Sequence, residues 1–479
     1  MVEHFPLMVP GARPAGQAAE ICSPFDGAPI GTVACVDRDG VEQALATAHA
    51  LFSDRDRWLS PAERIAILRR AAALMQERRE ELACGAAHEG GKPLVDSLVE
   101  VDRAIDSVTL SAECLRFQAG REIPMSRNAA SMGRLAVTQY EPIGVVLAYS
   151  AFNHPLNMAV HQVAPAVAAG CPIVIKPAAA APLSCLRLVR IFREAGLPEE
   201  WCQSLLIVDR ELTQAAVSDR RIGFFSFIGG DKVGWMLRNQ LAPGTRCSLE
   251  HGGAAPVVVA ADADLDAALP LLAKGGFYHA GQVCVSVQRV FAQRTIAAAL
   301  AERLAEAAAA LKVGDPLSPE TQVGPLIRHR EVQRVDEWVQ EAAGRGAKVL
   351  CGGRAISASC FAPTVLLDPP LDARVMAQEV FGPVVCISPF DGLDEAVGRA
   401  NAVPYAFQAA VFTRDLDSAL RCCRRLNASA VMVNDHTAFR VDWMPFAGLK
   451  ESGMGVSGIE YTMEDMQIRK LIVIRSKEL

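Results

Sequence analysis

The sequence predicts an α/β protein built on mostly parallel sheets covered by helices on both faces, and three observations carry that expectation. From about Gly144, short apolar runs, "GVVLAYS", "CPIVIKP", "LLIV", "FFSFIGG" and "PVVVAAD", alternate with helix-like stretches, the texture of successive βαβ units. A second series follows Cys284, with a helix expected over 296–312 and strands near "VVCISPF", "AAVFTRD" and "AVMVND". The chain has 479 residues, more than one ordinary core encloses, and so predicts two domains of roughly 150 to 250 residues.

In chain order, "WLSPAERIAILRRAAALMQERREELA" comes first: Ser60 is an N-cap, Pro61 the first helical residue, and Glu63 completes a capping box. Ile65, Leu68, Ala72 and Met75 then recur at helical spacing. The less regular stretch "GREIPMSRNAASMGRLAVTQYEP" reads as a hairpin, and the tail "MQIRKLIVIRSKEL" as a lone strand. Neither has an evident partner, so both are expected to pair with another subunit. The boundary between the two α/β series is placed near Glu250.

Composition removes several functions. A net charge of −6 gives no electrostatic case for nucleic acid or an anionic membrane surface. No stretch approaches the roughly 20 apolar residues of a spanning helix, and the N-terminus lacks a basic segment followed by an apolar one, so a cytoplasmic protein is expected. The 14 cysteines lack metal-ligand spacing, and Cys422 and Cys423 are adjacent, so no metal is expected and most thiols read as small hydrophobes in a reducing compartment.

Five stretches could carry chemistry. "GGFYHAGQVCVSVQRV" holds Cys284, either core filler or a nucleophile. "SFIGGDKVG" follows an apolar strand and precedes a helix, as a phosphate-facing turn does, but Gly229, Gly230 and Gly234 equally suit a plain tight turn. "VIKPAAAAPLS" places Lys176 at the carboxyl edge of a strand, where it could hold a ribose hydroxyl or a phosphate, or simply meet solvent. Asn153, at the end of "PIGVVLAYSAFN", is a turn former or a donor to a developing oxyanion. Glu250 in "CSLEHGGAAPVVV", between apolar runs, is a structural carboxylate or a partly desolvated general base with a raised pKa.

Taken together, "LEHGG", Cys284 in "GQVC", "EVFGPVV" and "PFAGLKESGMG", in that order, resemble the successive signatures of the NAD(P)-dependent aldehyde dehydrogenase superfamily, from about Phe25 to the C-terminus. The resemblance implies Cys284 as nucleophile, Asn153 with the Cys284 backbone N–H as oxyanion hole, and Glu250 as activator of the hydrolytic water. It implies that Lys176 binds the adenosine ribose, Glu379 the nicotinamide ribose, that Phe381 lies on the nicotinamide side, and that Gly229, Gly230 and Gly234 lie beside the pyrophosphate. It further implies a Rossmann-like cofactor domain (1–120 and 143–249), an α/β catalytic domain (250–447) and a small β oligomerisation element (121–142 and 448–479) of a homodimer or homotetramer. Retention of Glu250 favours hydrolysis over transfer to coenzyme A.

Two departures from the family pattern matter. Ala179 stands where many members carry a glutamate that holds the adenosine 2′-hydroxyl, so nothing repels a 2′-phosphate and the cofactor is NAD or NADP. Ala447 replaces a usual glycine. Arg103, His154 and Arg440 fall where the family's pocket lies and suggest a small anionic aldehyde. "SAFNHPLN" and "NDHTAFRVDWMPFAGL" look most like stretches of members that oxidise phosphonoacetaldehyde to phosphonoacetate. Lactaldehyde, sulfoacetaldehyde, succinate semialdehyde and glyceraldehyde 3-phosphate are alternative substrates, and a catalytically silent binding or structural protein on this fold is the alternative of another class.

Overall fold

Val145–Tyr149 is buried at every position, as a strand covered on both faces must be, and it lies in the middle of a six-stranded sheet. The order is Gly453–Met454, Arg246–Glu250, Ile222–Ile228, Val145–Tyr149, Ile173–Lys176, Cys202–Ser204. All neighbours are parallel except Gly453–Met454, which is antiparallel to Arg246–Glu250. This computed structural model describes residues 2–16 and 18–479.

A second sheet of seven strands runs Lys348–Cys351, Thr364–Leu367, Val384–Phe390, Val287–Gln293, Ala255–Val259, Gln408–Phe412, Ala430–Val433. Only the edge pair Lys348–Cys351 with Thr364–Leu367 is antiparallel. Each sheet anchors its own buried apolar core. The chain passes from the first sheet to the second between Glu250 and Ala255. The α/β class with parallel sheets is therefore as the sequence predicts.

Local signals translate directly. The helix Pro61–Glu77 starts on Ser60, whose hydroxyl accepts from the Glu63 N–H, while Glu63 accepts from the Ser60 N–H at 2.7 Å, a closed capping box. The helix expected over 296–312 spans Arg294–Ala309. "LLIV" is not itself a strand, since pairing falls on Cys202–Ser204 just before it.

The hairpin and the tail differ from expectation more instructively. Arg134–Pro142 pairs along its whole length with Gln467–Arg475, and Glu122–Ile123 completes a three-stranded antiparallel sheet. The two pieces thus partner each other within one chain, a pairing between segments far apart in sequence that no local pattern announces. The tail region is also divided: Gly453–Met454 joins the six-stranded sheet, and Ile459–Asp465 is a helix. No helix among the described residues is long and apolar enough to cross a membrane.

Candidate active site

The carboxyl edge of the six-stranded sheet faces a turn of unusual backbone geometry. His279, Ala280 and Gly281 take φ of 49°, 53° and 70°, the left-handed region, where each non-glycine residue costs about 1–3 kcal/mol. A Cβ on Gly281 would lie 2.1 Å from the Gly382 carbonyl oxygen, so only glycine fits. Gln282 holds the turn from inside: its Oε1 accepts from the Ile327 N–H at 3.0 Å and its Nε2 donates to the Pro325 carbonyl at 3.2 Å. This strained turn delivers Cys284 half-buried among Val283, Val285, Phe407 and Phe446.

Asn153 lies beyond the end of Val145–Tyr149, in the turn that opens the helix Asn157–Ala169, and not in the strand itself. Its Nδ2 donates to the Gln282 carbonyl at 2.9 Å, which fixes the amide and leaves its second N–H free. The Cys284 backbone N–H has no acceptor among the described residues. Burial pushes the Cys284 thiol up to about 12; Glu250 and Glu379 push the same way, and Arg440 pulls against them. Glu250 ends its strand half-buried, and its carboxylate has no hydrogen-bond or ion-pair partner among the described residues.

Next to the thiol lies a cluster of charges. Thr437 donates to the Val285 carbonyl at 2.6 Å and so ties the loop carrying Arg440 to the cysteine segment. The Arg440 guanidinium lies 3.7 Å over the Phe446 ring and its Nε donates to Asp442 at 3.3 Å, but its Nη1 is buried without a partner. Arg103 donates to both Asp442 oxygens, at 3.0 and 2.6 Å. His161 joins Asp442 at 2.9 Å. Burial opposes ionisation of Asp442, yet His161 and Arg103 outweigh it and hold the carboxyl well below the usual range. His154 is driven neutral, first by burial and then by Lys92 and Arg103, and bonds the Tyr278 hydroxyl at 3.2 Å. Of the three pocket residues named from the sequence, Arg103 is thus committed to a carboxylate, His154 is an uncharged hydrogen-bonding group, and Arg440 keeps a free donor.

The residues at the sheet edge fit a dinucleotide. Lys176 ends Ile173–Lys176 with its Nζ 5.4 Å over Tyr149 and no carboxylate partner among the described residues, while Ala179 is exposed. Glu379 sits in a cradle where a Cβ on Gly252 would come within 1.6 Å of its Oε1, and Gly253 donates to it at 3.1 Å. Burial pushes that carboxyl up to about 8. Phe381 packs edge-on to Phe152 at 5.8 Å. The helix Asp231–Arg238 begins at Gly230 without a side-chain cap on that residue, and Gly229 donates to the Glu250 carbonyl at 3.0 Å. Gly234 instead faces inward, where a Cβ would meet His251 Nε2 at 1.9 Å, so it serves packing.

Sequence reasoning missed Asp442, His161, Gln282, Lys92 and Glu100. Lys92 and Glu100 are fully buried ion-pair partners, and Glu100 also accepts from the Leu156 and Asn157 N–H groups at 3.0 Å, which caps the helix behind Asn153. The one sequence signal was Asp442 two residues after Arg440 in an otherwise apolar stretch.

Comparison with known proteins finds relatives over nearly the whole chain. Residues 12–472 match the model of the aldehyde dehydrogenase family. The chain is 36% identical over 474 residues to 3-sulfolactaldehyde dehydrogenase of Priestia megaterium, covering 99% of this chain and 98% of that protein. Aldehyde dehydrogenase 21 from Physcomitrella patens, solved with its reaction product succinate, superposes with a TM-score of 0.95 at 32% identity, covering 99% of each chain. Glyceraldehyde-3-phosphate dehydrogenase GapN from Methanocaldococcus jannaschii, complexed with NADP, gives 0.91 at 34% identity, covering 96% of this chain and 100% of that one.

Proposed function

The chain belongs to the aldehyde dehydrogenase family, and from that premise we propose that it oxidises a small aldehyde bearing an anionic group to the free acid, with NAD or NADP as hydride acceptor. The observation that carries this reading is Arg440, a guanidinium buried beside Cys284 with Nη1 unpartnered. A buried donor left without an acceptor costs about 1–3 kcal/mol, a cost that an anionic substrate group would remove. Sulfolactaldehyde carries a sulfonate, succinate carboxylates and glyceraldehyde 3-phosphate a phosphate, so all three similar proteins handle anions by their names.

The chemistry follows from the side chains. Arg440 favours the Cys284 thiolate, which adds to the aldehyde carbon once its proton has gone to water. The oxygen that becomes negative meets the free N–H of Asn153 and the Cys284 backbone N–H. Bound NAD(P) supplies the hydride acceptor. Lys176 and Glu379 would hold its riboses. The acyl group then rests on Cys284 as a thioester, and Glu250, unpartnered, takes a proton from the water that attacks it, releasing acid and thiol. The three-stranded sheet supplies the oligomerisation element of a dimer or tetramer.

A panel of two-carbon aldehydes ending in sulfonate, carboxylate, phosphonate or a neutral group tests this. Phosphonoacetaldehyde, the substrate favoured by the sequence, is its phosphonate member. Higher kcat/KM for the anionic members than for the neutral isostere is expected, and preference for the neutral one would sink the reading.

A further inference from the structure

We propose that Gln288 is the positioning residue for Glu379, and that through Glu379 it sets how tightly the enzyme holds its cofactor. This rests on the reading above of Glu379 as a holder of the ribose on the nicotinamide side. Gln288 comes four residues after Cys284, in the strand Val287–Gln293, which runs inside the seven-stranded sheet. A side-chain amide buried in such a strand is costly unless its hydrogen-bonding groups are met, and those of Gln288 are all met by one loop. Its Nε2 donates to the Gln378 carbonyl at 2.7 Å and the Val375 carbonyl at 2.9 Å, and its Oε1 accepts from the Val380 N–H at 3.0 Å. Gln378 and Val380 flank Glu379, so the glutamine grips the backbone on both sides of the residue that carries the carboxylate.

That loop is one that needs holding. Phe381 takes a φ of 45°, a left-handed conformation that a phenylalanine keeps only when its surroundings impose it. Arg334 adds a further tie, donating from Nη2 to the Val380 carbonyl at 2.7 Å. The Glu379 carboxylate itself has a single hydrogen bond, from the Gly253 N–H at 3.1 Å, and no salt bridge among the described residues, so its place is set by its backbone. The far side of that bond is held from the same strand. Arg289 follows Gln288 and faces the opposite way, and it donates from Nε to the Ala254 carbonyl at 2.8 Å and from Nη2 to the Ala400 carbonyl at 3.0 Å. Adjacent residues of one strand thus fix both sides of the contact between Glu379 and Gly253. The hydrogen bonds of Gln288 all go to the loop's backbone, so its effect on the cofactor passes through Glu379.

Calorimetric binding to the full chain without aldehyde tests this. Gln288→Met keeps the side chain's length and removes all three bonds. For whichever of NAD and NADP the native enzyme holds more tightly, Kd should rise about tenfold in Gln288→Met and comparably in Glu379→Ala. The double variant should be no weaker than the weaker single one, because residues acting through one contact do not add. ADP, which lacks the nicotinamide ribose, should bind all of these as it binds the native protein. In steady state, KM for the cofactor should rise in Gln288→Met while KM for the aldehyde stays. An unchanged Kd in Gln288→Met, single effects that multiply to about a hundredfold in the double variant, or ADP weakened as much as the dinucleotide would make Gln288 a core residue only. Each of these overturns the inference and leaves the role of Glu379 standing. Native affinity in Glu379→Ala would instead sink the reading of Glu379, and the inference with it. Should Gln288→Met not fold, Gln288→Asn, whose shorter arm cannot reach all three partners, is held to the same outcomes.

Discussion

Two buried charge clusters stem from one helix, Leu94–Phe117, and they are finished differently. Glu100 is paired with Lys92 and accepts two backbone N–H groups of the next helix, so its lone pairs are taken up by the fold. One turn along, Arg103 grips Asp442, but the cluster it belongs to ends in Arg440 with a donor left over. The same is true of the Glu250 carboxylate, the Cys284 N–H and Lys176, none of which has a polar partner among the described residues. Buried polar groups are normally satisfied, and Arg440 Nη1 is among those left open, beside Cys284. The closed cluster holds Asn153's helix in place; the open one waits for a ligand.

Substitutions on the two sides should therefore separate activity from stability. The largest effect is expected on the open side at Glu250. Glu250→Gln should cut steady turnover by about 10²- to 10⁴-fold while one equivalent of reduced cofactor still forms in a burst, because only the hydrolytic step loses its base. At the same time the Cys284 thiol should alkylate faster at fixed pH, since a neighbouring negative charge that raises its pKa is gone and more of it is thiolate. Slower alkylation, or burst and steady rates lost together, would remove Glu250 from that role.

On the closed side, Lys92→Met should lower unfolding free energy by about 3–5 kcal/mol, the cost of leaving one half of a buried pair alone. Denaturant titration reads this, and the preference among anionic and neutral aldehydes should not move. A changed preference would mean that the two clusters are not separate. The smallest effect is expected at the solvent edge of the cofactor cleft. Ala179→Glu should shift the NADP-to-NAD ratio of kcat/KM toward NAD by roughly tenfold, the effect of one partly solvated like charge. A native enzyme that already rejects NADP would show that another group excludes the 2′-phosphate.

The clusters also mark what could be read from sequence. The strand that ends in Lys176 and the capping box at Ser60 are local patterns, and the structure places them as expected from those patterns. Arg103, His154 and Arg440 were visible as residues, but their states were not. That Arg103 is engaged depends on Asp442, hundreds of residues away, and that His154 is neutral depends on its burial and on Lys92 and Arg103 from other elements. The hairpin and the tail read as orphans for the same reason, since each is the other's missing partner. Distance along the chain, not weak propensity, hid these contacts.

The most direct test is the kcat/KM ratio of an anionic aldehyde to its neutral isostere, in the native protein and in Arg440→Ala. If Arg440's open donor receives the anion, the variant loses about 2–4 kcal/mol for the anionic substrate, roughly 30- to 700-fold, and the ratio collapses while the neutral substrate is little affected. Equal losses for both substrates would make Arg440 a structural residue and contradict the account.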